Sequence, residues 1–467
     1  MPKVWIDGEP FEAKNGERLS ALLIRVGKAI PMPCGGRGDC GKCRVTVNGK
    51  PALACEYEIR SELEVTRPKK EDIVSLLGGG DERPFRPAAQ HSPGGTSLAL
   101  DIGTTTLALA AVSLNEGRIV RAVTRANPQR AFGADVMNRI GYCRVHGPER
   151  LQTALLQTVR EMLRALNAPA AKTLWVAGNT TMLHLFFGVD PAPMGAAPYT
   201  PGFLQMKKAR GESLGLPGIE EAVSLPGAAA FVGADLTAGL NYVGLPPEGK
   251  FRLLIDLGTN AEIVLYARGE ALCTAAAAGP CFEGANISCG MAAVPGAICA
   301  YSERGCVTVG GAPPAGVCGT GLVDAIAALL KNGAIDESGY MEDDYELAPG
   351  VFLTPGDVRQ YQLAKSAVCS AVETLAIRRG VGWDQIDKAA ISGGFSAGID
   401  IGNAVGTGLL PAGLREKCVP VNNSSLLGTA KYACEKNDLS VYLDRMRYVD
   451  LASDPTFSSR FIENMAF

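Results

Sequence analysis

Four cysteines carry the first chemistry that can be read from this chain. Cys34, Cys40 and Cys43 fall within ten residues, in PCGGRGDCGKC, and Cys55 follows in PALACEYEI. Gly35, Gly36, Gly38 and Gly41 are interleaved with them. A glycine-rich loop lets the backbone wrap a compact inorganic centre and aim N–H groups at its sulfurs. Two kinds of centre take four thiolates, an iron–sulfur cluster and a tetrahedral zinc ion. Zinc sites usually combine two C-x2-C pairs, and here only Cys40 and Cys43 form one, which favours the cluster.

A repeated pattern carries the second chemistry. Leu98–Val112 reads LALDIGTTTLALAAV and Leu253–Leu265 reads LLIDLGTNAEIVL, sharing D-[IL]-G-T-[TN] 155 positions apart. In each, an apolar strand runs into an aspartate, Asp101 or Asp256. Gly103 with Thr104, Thr105 and Thr106, or Gly258 with Thr259 and Asn260, then turns the chain into a second apolar strand. A carboxylate at a strand end can hold a metal ion or its water. The glycine lets backbone approach a phosphate, and the threonine N–H and O–H groups can donate to phosphate oxygens. Ordinary hairpins use Asp and Gly too, so the argument rests on the recurrence. A third stretch, AAISGGFSAGID, ends an apolar strand in Gly393 and Gly394 at an expected helix start. AAAFVGADLTAGL places Asp235 after an apolar strand at an expected N-cap, and Glu262 follows the second hairpin.

These residues need elements to hold them. Lys3–Ile6 alternates like a strand, Asp7-Gly8 is a hairpin turn, and Leu19, Leu22, Leu23 and Val26 recur at helical spacing. The expected divisions are 1–66 for the cysteine domain, 67–97 for a linker, 98–240 and 241–410 for two lobes, and 411–467 for a return segment whose apolar tail docks. The linker carries Pro68, Pro84, Pro87, Pro93 and two glycine runs, with one helical turn expected in Ile73–Leu77. A flexible tether of that length spans about 30 Å, and a passive surface segment is the alternative. Helices are expected over Ala131–Tyr142, Glu149–Leu166, Gly316–Asn332, Gln362–Arg379 and Asn422–Cys434. In LWVAGNTTMLHLFFG, Asn179 and Thr180 either face phosphates or cap the following helix, and His184 reads as a core residue. Cys273, Cys281, Cys289, Cys299, Cys306 and Cys318 lack any C-x2-C pair and read as buried or incidental thiols, with a second metal site as the alternative.

Composition bounds the partners. The 467 residues are 47% apolar and 20% charged, with a net charge of −3. That argues against nucleic acid or an anionic membrane as a main partner. No apolar run is long enough to span a bilayer, and the N-terminus lacks a signal-peptide core. A cytoplasmic location is expected, where 14 cysteines stay reduced as metal ligands or buried thiols.

Two phosphate-type hairpins followed by a double-glycine strand resemble the actin, sugar-kinase and Hsp70 ATPase superfamily. That resemblance implies two similar lobes closing on ATP. Gly103, Thr104, Thr105, Thr106, Gly258, Thr259 and Asn260 would meet the phosphates, and Gly393 and Gly394 would pack under the adenosine. Asp101 and Asp256 would serve Mg²⁺ through water, and Asp235 would orient the attacking water. The N-terminal order of hairpin, helix and cysteine loop resembles the ubiquitin-like (β-grasp) fold of plant-type [2Fe–2S] ferredoxins. Its C-x5-C-x2-C departs from their C-x4-C-x2-C.

The fusion of the two resembles the reductive activators of corrinoid proteins. PCGGRGDCGKC, LALDIGTTT, VAGNTTMLHLFFG, IDLGTNAEI, GVCGTGLVDAI, ISGGFSAGIDIGNAVGTGLLP and DPTFSSRFIENMAF carry the likeness over nearly the whole chain. The implied fold is α/β, a β-grasp ferredoxin domain followed by a two-lobed actin-like ATPase. The implied activity returns a corrinoid from Co(II) to Co(I) on a partner corrinoid protein or corrinoid iron–sulfur protein, using ATP, Mg²⁺ and a [2Fe–2S] cluster fed by a low-potential electron donor. A homodimer is among the assemblies it allows. The family often carries an extra domain between ferredoxin and ATPase, where this chain has only 67–97. Other classes remain open at this point: an ATP-driven donor to another low-potential metalloenzyme, a small-molecule kinase with an ancillary cluster, or a nucleotide-gated redox sensor without turnover.

Overall fold

Alternating apolar residues build the first sheet. In a computed structural model of the chain, Lys3–Ile6 (β1), Glu9–Glu12 (β2), Arg44–Val47 (β3), Lys50–Leu53 (β4) and Leu63–Thr66 (β5) pair in the order β2-β1-β5-β3-β4, with β1 parallel to β5. Leu19–Arg25 (α1) lies against this sheet. Leu19, Leu22 and Leu23, three and four residues apart, are buried with Val4, Ile6, Val45, Val47 and Val65. Asp7 and Gly8 take positive φ, 52° and 84°, in the hairpin turn. This is the expected β-grasp. The structure describes residues 1–26, 28, 30, 43–67, 85, 95–133, 135–167, 170–394 and 396–467, in two compact units, Met1–Leu225 and Pro226–Phe467. The helical turn expected in Ile73–Leu77 lies outside the described residues. Within the linker Phe85 is buried, and its N–H donates to the Gly117 carbonyl at 2.6 Å.

The rest of the first unit is a six-stranded sheet. Thr96–Ile102 (β6), Thr106–Ser113 (β7) and Arg118–Ala126 (β8) form an antiparallel meander. Ala171–Gly178 (β9) runs parallel beside β6, Ile219–Ser224 (β11) parallel beside β9, and Lys208–Arg210 (β10) closes the edge. Val136–His146 (α2), Glu149–Ala165 (α3) and Thr180–Phe187 (α4) complete the unit. Asp135 starts α2 by accepting from the Asn138 N–H, which sets the helix five residues later than its apolar spacing suggests.

The second unit repeats the strand order. Phe251–Leu257 (β12), Ala261–Ala267 (β13) and Glu270–Ala276 (β14) form the meander, with Ile386–Gly393 (β20) parallel beside β12 and Cys418–Pro420 (β21) beyond it. Met446–Tyr448 (β22) adds a parallel strand to β14. Between β14 and β20 lie three short strands, Ala297–Ser302 (β15), Gly305–Thr308 (β16) and Gly316–Val317 (β17), and a hairpin of Tyr345–Ala348 (β18) and Val351–Leu353 (β19). The helices are Ala234–Val243 (α5), Gly319–Lys331 (α6), Pro355–Arg379 (α7), Ile401–Gly406 (α8), Ser424–Glu435 (α9), Ser440–Leu443 (α10) and Pro455–Glu463 (α11).

Two differences from the sequence expectation have packing causes. The unit boundary falls at Leu225, ahead of 240. Leu236 and Leu240 of α5 share an apolar cluster with Leu254, Val264 and Tyr266, so Ala228–Leu240 belongs with the second unit. The stretch 411–467 is no separate segment, because β21 and β22 complete the second sheet. Its tail is docked: Gln362 of α7 donates to the Met465 carbonyl at 2.8 Å, and Phe467 stacks on Tyr361. Among the described residues no helix is long and apolar enough to cross a membrane.

Candidate functional site

Two of the four predicted cluster cysteines are described. Cys43 immediately precedes β3 and Cys55 follows β4, so the β3–β4 hairpin brings them together. Their Sγ atoms lie 3.2 Å apart, and both side chains are buried. The Ala54 N–H donates to the Cys43 carbonyl at 2.9 Å and the Arg18 guanidinium to the Cys55 carbonyl at 2.8 Å, which fixes both backbones. Two buried sulfurs that converge to 3.2 Å without being bonded to each other fit a thiolate-ligated centre. Cys34 and Cys40 lie outside the described residues.

The first hairpin, Asp101–Thr106, joins β6 to β7. Gly103 donates its N–H to the Thr106 carbonyl at 3.0 Å, and a Cβ there would lie 2.6 Å from that oxygen, so the turn closes only around glycine. Asp101 is buried at the end of β6. The turn is held by side chains from three other elements. Asn127 Nδ2 donates to the Gly103 carbonyl at 2.8 Å, Arg139 Nη2 to the Thr104 carbonyl at 2.6 Å, and Asn179 Nδ2 to Thr104 Oγ1 at 3.0 Å. Asn179 also caps α4, its Oδ1 accepting from the Met182 N–H at 3.0 Å. Asn179 thus caps α4, one of its two expected roles, and at the same time reaches the first hairpin. Asn127 and Arg139 escaped sequence reading because neither sits in a motif.

The second hairpin, Asp256–Asn260, is one residue tighter, with Gly258 donating to the Asn260 carbonyl at 3.1 Å. The antiparallel register sets Asp256 opposite Glu262, and the parallel register of β12 with β20 sets Leu257 beside Gly393. Gly393 has φ of 112° and a Cβ there would meet the Leu257 carbonyl oxygen at 2.0 Å, whereas Gly394 has open space. Gly393 is the last residue of β20, and a single 3₁₀ turn follows at Ser396–Gly398 in place of the expected helix start. Gly233, not Asp235, is the N-cap of α5. Asp235 stands in the first turn, where the helix dipole favours a carboxylate. The Glu262 carboxyl titrates well above its ordinary range. Burial is the main cause, and the negative charges of Asp235, Asp256 and Glu283 add to it. Asp235, Asp256, Glu262 and Glu283 thus form one interacting set, of which Glu283 had no sequence signal.

Other singled-out residues fall outside these sites. His184 is buried, its Nδ1 2.7 Å from the Thr180 carbonyl and its Nε2 accepting from the Gly202 N–H at 2.8 Å, as a core residue should be. Among the described residues no group of three or more His, Cys, Asp or Glu gathers as a metal site; Cys273, Cys281 and Cys318 are buried, and Cys289, Cys299 and Cys306 are half-buried. Mg²⁺ does not require such a cage, because it is commonly held by one or two carboxylates together with substrate phosphates.

Comparison with known proteins matches three stretches of the chain. Residues 3–70 match a 2Fe-2S iron–sulfur cluster binding domain, 96–247 the RACo middle region, and 250–467 the C-terminal ASKHA domain of RACo. The chain is 27% identical to the corrinoid activation enzyme RamQ of Eubacterium limosum over 98% of both chains. It is 24% identical to the [Co(II) methylated amine-specific corrinoid protein] reductase of Methanosarcina barkeri, over 79% of this chain and 76% of that one. A solved structure, a reductive activator for corrinoid, iron–sulfur protein, superposes with a TM-score of 0.74 at 26% identity, over 100% of this chain and 98% of the other. With a ferredoxin-type domain in front and the two RACo regions spanning the remainder, the chain belongs to the RACo family.

Proposed function

We propose that the chain is an ATP-dependent reductive activator of a corrinoid protein, passing one electron from a [2Fe–2S] cluster to Co(II) on the partner and regenerating Co(I). The observation that carries this reading is the union, on one chain, of converging buried thiols in a β-grasp domain with a duplicated hairpin fold of the ATPase type. The names of the relatives support it. Cys34, Cys40, Cys43 and Cys55 would hold the cluster, whose chemistry is one-electron transfer at low potential, about −400 mV for plant-type centres. Corrinoid Co(I) is harder still to reach, and each additional 59 mV costs about a factor of ten in the equilibrium constant for one electron. ATP is the source that can offset a gap of that kind.

The chain's own residues have definable parts in this reading. With the Gly103 and Gly258 N–H groups closing the two turns, the backbone N–H groups of Thr104–Thr106 and Thr259–Asn260 would receive phosphate oxygens. Asp101 and Asp256 would each serve a bound Mg²⁺ through its water, and Asp235 would align the attacking water. Burial first, and then the neighbouring carboxylates, raise the proton affinity of Glu262 beside them. Gly393 lets β20 pack against the Leu257 carbonyl, and Gly394, beside open space, would leave room for the adenosine. A low-potential donor supplies electrons, and the reducing cytoplasm suits both the reaction and the thiols.

The test is anaerobic. Reduced protein is mixed with a Co(II) corrinoid protein, and the Co(I) absorption band is followed with and without MgATP. Growth of Co(I) that depends on ATP is the expected result. Steady ATP consumption with no Co(I) from several corrinoid partners would assign the electron to another acceptor.

A further inference from the structure

Arg139 lies in the second turn of α2, and none of its surface is exposed. Its guanidinium forks between two backbone carbonyls that are distant in sequence. Nη2 donates to Thr104 at 2.6 Å and Nε to Gly133 at 3.1 Å, while Nη1 lies 3.1 Å from Met182 Sδ. Asn127 Nδ2 donates to the preceding carbonyl, Gly103, at 2.8 Å and also lies 3.7 Å from Met182 Sδ. Arg139 and Asn127 therefore approach the turn from one side. They draw two successive carbonyls of the first hairpin toward that side.

In a planar trans peptide the N–H points opposite to the C=O. The N–H edges of the 103–104 and 104–105 peptides are therefore both turned away from Arg139 and Asn127. Successive N–H edges presented on one side make a backbone cradle for an anion. An apolar residue could fill the space of Arg139 at less desolvation cost, but it could not fix these peptide planes.

We propose that Arg139 is a positioning residue for phosphate recognition, acting through the Thr104 carbonyl to hold the first hairpin in its anion-receiving form. The assignment rests on the reading of Asp101–Thr106 as a phosphate hairpin. Its positive charge, fixed behind the turn, adds to the attraction for a polyphosphate.

The experiment compares the full chain with Arg139→Met and Arg139→Lys, each checked for folding by circular dichroism. MgATP and adenosine are titrated by calorimetry, and KM and kcat for ATP consumption are measured. Arg139→Met is expected to weaken ATP binding about 10- to 100-fold. KM should rise by the larger factor, and adenosine affinity should stay unchanged. Arg139→Lys should fall between, since an ammonium reaches one carbonyl but cannot fork. ATP affinity within twofold of wild type in a folded variant overturns the proposal, as does adenosine affinity falling in step with ATP. If Arg139→Met does not fold, Arg139→Lys decides by the same criteria. A wild-type chain that binds no ATP overturns the nucleotide reading and the proposal together. Variants unaffected beside an ATP-binding wild type overturn the proposal alone.

Discussion

Asp256 and Glu262 face each other across a hairpin, with Asp235 and Glu283 close enough to raise the Glu262 carboxyl. Like charges gathered this way oppose folding, and such a set persists where a ligand needs it. Asp235→Asn is therefore expected to raise the melting temperature of the nucleotide-free protein while lowering ATP turnover about 100-fold or more. A variant with unchanged turnover would remove Asp235 from the chemistry. His184 makes a different residue-scale prediction. Burial holds its ring in the neutral form, Lys207 acts in the same direction, and the Thr180 carbonyl and Asp190 oppose them, leaving the pKa lowered. The unfolded chain therefore binds the proton first. The stabilising contribution of His184 is complete above the ordinary histidine pKa and declines as pH falls below about 6.5, at no more than about 1.4 kcal/mol per pH unit. Melting temperatures at pH 7.5 and 5.5 should show this loss in the wild type and a smaller one in His184→Gln. Equal slopes would place the titration elsewhere.

At the scale of elements, Gly393, which ends β20, and Gly394, just beyond it, have different reasons to be there. A Cβ at Gly393 would sit 2.0 Å from the Leu257 carbonyl oxygen in a positive-φ position, while one at Gly394 would meet nothing. Gly393→Ala should destabilise the second unit by about 2–4 kcal/mol, and Gly394→Ala by less than about 0.5 kcal/mol. If Gly394 lies under the adenosine, its alanine variant loses nucleotide affinity without losing stability, and denaturation beside an ATP titration separates the two. The sequence announced the hairpins because strand periodicity broken by Asp and Gly is a local signal. It announced the β-grasp because α1 presents Leu19, Leu22 and Leu23 to one sheet. It understated α7, whose first seven residues rest on a capping box of Thr354 with Asp357 and whose burial on several sides, Lys365 included, hides any single apolar stripe. The clamp of Asn127, Arg139 and Asn179 was illegible for another reason. Its members come from three separate elements, and only the β6–β9 register, which sets Ile102 beside Gly178, brings Asn179 to Thr104.

For the whole molecule, the two chemistries occupy different parts of the chain and should be separable. Cys43 and Cys55 belong to a core of their own, built from β1–β5 and α1, and none of its residues comes from the sheets that carry the hairpins. Cys43→Ser removes one of the converging thiols without touching Asp101 or Asp256. It should abolish ATP-dependent Co(I) formation and the cluster's visible absorption, while ATP affinity stays within about twofold of wild type. Asp101→Asn should do the reverse, leaving the cluster spectrum intact while ATP consumption falls, and Co(I) formation should fall with it. A small-molecule kinase with an ancillary cluster predicts a different pattern, in which Cys43→Ser retains full turnover and no variant affects a corrinoid. Coupling is then measured by the pair together. If electron delivery requires nucleotide, the two single variants are each as inactive in Co(I) formation as the double variant, because each removes a step that the other cannot bypass. Partial and additive losses would mean that ATP accelerates a transfer the reduced protein already makes alone.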